Sequence, residues 1–151
     1  MNAISFLNTR RVSVGTKEKV LQFIKYCCLF LFVYAGYAKI VDHKRFIQGL
    51  ARVHIIHDYA MLISILVPFV EILIAFALIV PKTMKIGFIS FIAITTCFTA
   101  YIISAMIWEP KLPCRCGGVI EKLTWTQHIW FNLAFIILAI VGVRLLNSIK
   151  K

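Results

Sequence analysis

The sequence predicts an all-α integral membrane protein, a four-transmembrane-helix bundle. Three observations carry this reading. Of 151 residues, 61% are hydrophobic and 15% charged, which is more apolar surface than a soluble domain of this size can hide. The apolar residues gather into four runs, each long enough to cross a bilayer. Lysine and arginine stand at the ends of those runs, where charges flank a membrane. The same placement argues against nucleic-acid binding despite a net charge of +11, because the basic residues form no single polar face. No repeat, low-complexity tract or linker divides the chain, so it reads as one membrane domain, residues 20–147, between tails at 1–19 and 148–151.

The first tail carries Arg10, Arg11 and Lys17. The apolar run after it, about Val20 to Val41, is longer than a signal-peptide h-region and has no small-residue cleavage site after it, so it is expected to remain as an anchor. Its 22 residues would span roughly 33 Å at 1.5 Å per residue. Lys25 and Lys39 lie near its two ends, where their stems can snorkel.

The connector Asp42–Tyr59 holds His43, His54 and His57, and its apolar positions recur at helical spacing, which predicts a short interfacial helix. Ala60 to Val80 is the second span. It contains Pro68 and Glu71, and Pro81 closes it. The third span runs from about Thr83 to Trp108 and ends at Glu109-Pro110-Lys111-Leu112-Pro113. Thr124-Trp125-Thr126-Gln127 is the pattern of a capping box, opening a fourth span over about Trp125 to Leu146.

Orientation follows from counting basic residues. With the N-terminus inside, Arg10, Arg11, Lys17, Lys19, Lys25, Lys82, Lys85, Arg144, Lys150 and Lys151 make ten of the 17 on the inner side and leave seven outside. Both tails are therefore expected in the cytoplasm, with the chain in a bacterial inner membrane and in contact with its lipid. This topology puts the segment Pro113-Cys114-Arg115-Cys116-Gly117-Gly118 outside, where disulfides form and persist.

The five cysteines fall into two groups. Cys27, Cys28 and Cys97 lie within spans and read as small packing groups. Cys114 and Cys116 lie in a polar segment bounded by Pro113 and two glycines. A disulfide closed over so few residues departs from relaxed geometry and is easily reduced, and Arg115 favours the thiolate. Three chemistries remain open for the pair: disulfide exchange, a static disulfide, or half of a metal site completed by His54 and His57. Cys-x-Cys is not the usual zinc spacing, and no metal is assigned.

Glu71 is the other unusual residue, a carboxylate at the centre of a span, where its charge costs roughly 2.5 to 3.5 kcal/mol. It must be neutral or partnered. Asn132, Tyr34 and Tyr37 are the expected partners, and the roles open to it are an interhelical hydrogen bond, a proton acceptor or a quinone contact.

Gly36-Tyr37-Ala38-Lys39, Phe46, Pro68-Phe69-Val70-Glu71, Cys114-Arg115-Cys116-Gly117, Leu123-Thr124-Trp125 and Asn132 occur in an order and placement that resembles the MauE branch of the DoxX-like membrane proteins, over about Phe32 to Val143. The resemblance implies a four-helix membrane bundle tied to thiol–disulfide chemistry outside the cytoplasm; the family's namesake is thought to help form or maintain disulfides in methylamine dehydrogenase. It makes Cys114 and Cys116 the redox pair and Glu71 the membrane acid. Gly117 departs from the pattern, in which Phe often follows the second cysteine. The resulting expectation is a protein that exchanges disulfides with an extracytoplasmic thioredoxin-like or substrate protein and passes electrons to a carrier such as a quinone. The alternative is a non-enzymatic subunit or anchor of a larger membrane complex, with the cysteines as a staple.

Overall fold

The computed structural model describes residues 3–51, 57–108 and 124–149. Cys114, Cys116, Arg115 and His54 lie outside the described residues. Five helices follow in order: α1 (Ala3–Val41), α2 (His43–Ala51), α3 (Ala60–Ile79), α4 (Met84–Trp108) and α5 (Trp125–Ile149), with a 3-10 turn at His57–Tyr59 before α3. Four are long and apolar enough to cross a membrane, over Gly15–Val41, His57–Ile79, Met84–Ile107 and Thr126–Ile149, as the hydropathy predicts. No more than a third of any span is buried inside the bundle, and the outward faces carry Phe23, Phe30, Phe69, Phe76 and Ile107. Apolar surface of that extent, turned out on every span, is stable against lipid and not against water.

The first 19 residues read as a tail, yet the helix runs unbroken from Ala3 through them. Hydropathy marks which residues suit hydrocarbon, whereas a helix continues until something breaks it, and no proline occurs before Pro68.

The spans close into a ring. α1 packs against α3 and α5, and α4 packs against the same two, while α2 lies mainly on α3. The main core takes Leu21, Ile24, Cys28 and Phe32 from α1, whose steps of three and four put them on one stripe. Ile74 and Leu78 of α3, Phe88 and Phe91 of α4, and Ala139 and Leu146 of α5 meet that stripe. The ring centroids of Phe32 and Phe91 stand 4.2 Å apart across the bundle. Glycine sets the closest approaches. A Cβ on Gly87 would stand 2.9 Å from the Leu78 backbone nitrogen, and one on Gly142 3.0 Å from the Phe88 ring. A second, smaller cluster of Phe46, Leu50 and Ala60 seats α2 on the start of α3, with Val67 and Tyr101 packed against it.

Helix ends follow local chemistry. At the start of α5 the Thr124 backbone N–H donates to Gln127 Oε1 at 2.8 Å, and the Gln127 N–H donates to Thr124 Oγ1 at 3.3 Å. That is the reciprocal capping box expected from the sequence. Between α3 and α4, Thr83 Oγ1 donates to the Ala77 carbonyl at 3.0 Å, which satisfies an end-of-helix acceptor in a connection only a few residues long.

Candidate functional site

Between the two apolar clusters lies a buried ion pair. Along α3, Val67 belongs to the outer cluster and Ile74 to the main core, and Glu71 falls between them. Glu71 is 1% exposed. Its Oε1 accepts from Lys39 Nζ of α1 at 2.6 Å, with side-chain exposures of 12% for the lysine and 2% for the glutamate. The contact is short, as charge-assisted bonds are.

This corrects the expected partners. Glu71 bonds Lys39, a residue outside that expected set, and Tyr37 is 64% exposed. Lys39 was expected to snorkel out of the membrane; its stem turns inward instead. A lysine two residues from a helix end can reach along the axis either way, and a buried carboxylate on the neighbouring helix decides the direction.

The ammonium is surrounded by the other helices. Lys39 Nζ lies 5.0 Å from the centroid of the Phe98 ring of α4 and 5.8 Å from that of Phe46 of α2, within cation–π range. Helices α1, α2, α3 and α4 thus contribute to one constellation. Of the buried polar residues, Thr95 precedes Phe98 by about a turn on α4 and Thr99 is next to it in the chain, and Asn132 follows His128 by a turn on α5. Thr99 Oγ1 donates to the Thr95 carbonyl at 2.8 Å.

Two features leave the site open. Among the described residues, Glu71 Oε2 and Thr95 Oγ1 are buried without a hydrogen-bond partner. Beside Glu71, α1 presents Gly36: a Cβ there would stand 3.6 Å from Glu71 Oε2, 3.6 Å from the Pro68 carbonyl oxygen and 3.4 Å from Ile72 Cγ1. An uncapped carboxylate oxygen therefore faces a helix where a side chain would fit and none is present. Gly36-x-x-Lys39 and Pro68-x-x-Glu71, two separate patterns in the sequence, form one site in the fold.

The remaining candidates fall elsewhere. Cys27, Cys28 and Cys97 are free thiols; Cys28 is wholly buried in the main core, as expected of a packing cysteine, whereas Cys27 is half-buried and Cys97 is exposed on the outside of the bundle. His57 pairs with Asp58 at 3.2 Å, both largely exposed. Phe98 is a site residue that sequence reasoning did not single out for it, and no local pattern marks it. The ends of α1 and α4 and the starts of α3 and α5 lie at one end of the bundle, so Trp108 and Trp125, between which Cys114 and Cys116 occur in the sequence, bracket the same end toward which Lys39 lies.

Fold and site define a multi-pass helical membrane protein with a charged, partly unsatisfied constellation inside its bundle. A family model described as methylamine utilisation protein MauE matches residues 17–145, a stretch that holds the second and third spans whole, most of the first and fourth, and every residue of the constellation. The chain belongs to the MauE family. No curated protein and no solved structure matches it.

Proposed function

We propose that this protein is a membrane-embedded thiol–disulfide redox protein in which Cys114 and Cys116 exchange disulfides with an extracytoplasmic thioredoxin-like or substrate protein. It is a DoxX-like member of the bacterial inner membrane, with residues 1–19 and 148–151 cytoplasmic and Cys114 and Cys116 outside. The single observation that carries the reading is the division of the cysteines. The three within the spans are free, and Cys28 is wholly enclosed, which makes it inert. The reading assigns the chemistry to the pair that lies one residue apart beside Arg115, where a neighbouring positive charge favours the thiolate.

Exchange is balanced as follows. A partner dithiol gives two electrons and two protons to the Cys114–Cys116 disulfide, leaving the partner oxidised and the pair reduced. A lipid-soluble quinone takes the same two electrons and two protons from the pair and becomes a quinol. Glu71 is the quinone contact for that second step. Cys114 attacks and Cys116 resolves.

Trapping tests this. Cys116→Ser and Cys114→Ser chains should each be compared with Cys27→Ser and Cys97→Ser on non-reducing gels. A higher-mass band confined to the first two, collapsing with reductant, is the expected result. If neither traps a partner and the native pair stays oxidised under mild reductant, the cysteines are a staple and the protein is a subunit or anchor of a larger assembly.

A further inference from the structure

We infer that the Lys39–Glu71 constellation is a binding site for the headgroup of an isoprenoid quinol, and that it favours the quinol over the quinone. The inference rests on the redox reading above and gives its carrier a place in the bundle.

The argument starts from the orphaned oxygen. A buried acceptor without a donor is costly, and Glu71 Oε2 is such an acceptor on a side chain that is 2% exposed. Oε1 is already taken by Lys39, so what Oε2 lacks is a ligand O–H or N–H. The ammonium beside it has three N–H groups and can still donate after bonding Oε1. The ligand atom that fits must therefore donate to Oε2 and accept from Lys39, and a hydroxyl does both. A quinone carbonyl can only accept, so it would satisfy Lys39 and leave Oε2 bare. A quinol hydroxyl satisfies both.

The surroundings fit an aromatic amphiphile better than an ion. The Phe98 and Phe46 rings flank the ammonium, and the outward faces of the spans are apolar, which suits a prenyl tail in lipid. Lys39 already neutralises Glu71, so a free anion or cation would meet no net opposite charge from the pair. Gly36 leaves a gap next to Oε2 that is the size of a methyl or hydroxyl group, since a Cβ there would make ordinary contacts at 3.4 to 3.6 Å.

Gly36 also supplies the test. An alanine at 36 would make only ordinary contacts of 3.4 to 3.6 Å, so the helices and the ion pair stay in place while its methyl fills the space beside Oε2. The probes are decylubiquinol and decylubiquinone, offered to full-length protein in phosphatidylcholine nanodiscs. Binding is measured as saturable retention above that of empty nanodiscs, and thermal unfolding is followed in parallel. Gly15→Ala is the control, since nothing lies within 4 Å of its added Cβ.

We expect saturable quinol binding to the native protein, tighter than that of the quinone, and a loss of about tenfold in quinol affinity in Gly36→Ala with no shift in unfolding, as for one hydrogen bond forfeited. Glu71→Gln turns the open acceptor into a donor or weakens the bond to Lys39, and should abolish the preference for quinol. Retention equal to that of empty nanodiscs, equal affinity for the two redox forms, or quinol binding indifferent to Gly36→Ala would overturn the site; the first would leave Oε2 to a buried water. None of these readouts involves a thiol, so failure of the site is separable from failure of disulfide trapping.

Discussion

Lys39 Nζ and Glu71 Oε1 stand 2.6 Å apart, and through that contact the end of α1 is tied to the middle of α3 in a region with little access to water. Two charges inside a bundle are retained at a cost in desolvation that only close pairing offsets. The pair also fixes the relative depth of the two helices, since a slip by one turn would carry the carboxylate out of the lysine's reach.

The first expected outcome concerns this pair. Lys39→Met or Glu71→Leu alone leaves a buried charge without its partner and should lower stability by about 3 to 5 kcal/mol. The double variant removes both charges and should recover most of that loss. Unfolding of the purified protein in mixed micelles measures all three. Additive losses in the double variant would show that the two side chains do not support one another.

Close packing of α3 on α4 gives a second test. A Cβ on Gly87 would come within 2.9 Å of the Leu78 nitrogen and 3.0 Å of the Ala77 carbonyl carbon. Both are backbone atoms and cannot swing aside, so α3 and α4 must separate. Gly87→Ala should cost about 1 to 3 kcal/mol, while Gly36→Ala should be near neutral. Equal thermal midpoints for the two variants would contradict the helix spacing described above.

A third test addresses the tails. Lys17 Nζ donates to Ser148 Oγ at 3.2 Å, so the N-terminal part of α1 and the end of α5 lie at one end of the bundle. Single cysteines at positions 13 and 148, in a cysteine-free background, should be shielded together from a membrane-impermeant maleimide in intact cells. A cysteine at position 111 should label. Labelling of the tails from outside would reverse the orientation and remove the oxidising compartment from Cys114 and Cys116.

Much of the scaffold was legible in the chain. The four spans appeared as apolar runs because lipid requires each backbone polar group to be satisfied within its own helix, which makes length and hydropathy sufficient. Thr124 and Gln127 announced the start of α5 because a capping box is a contact across three residues. Cys28 read as a packing group from its neighbours alone. Glu71 stood out because a carboxylate at mid-span is expensive wherever the other helices lie.

Its partner was not legible. Asn132, Tyr34 and Tyr37 were reasonable choices by depth and polarity, and Lys39, close to a span end, fitted a snorkelling cation equally well. Which cation meets which acid depends on the cyclic order of the helices, on how far α3 is displaced along α1, and on where glycine lets them approach. Those are relations between residues 32 positions apart, and no local period encodes them. The sequence by itself therefore determined the number and extent of the spans, the cap of α5 and the isolation of the membrane cysteines, all of which are set within one helix. Only the tertiary structure decided that Gly36, Lys39, Phe46, Glu71 and Phe98 share one site, because the energy that joins them, a desolvated charge pair and the rings around it, exists only once separate helices have packed.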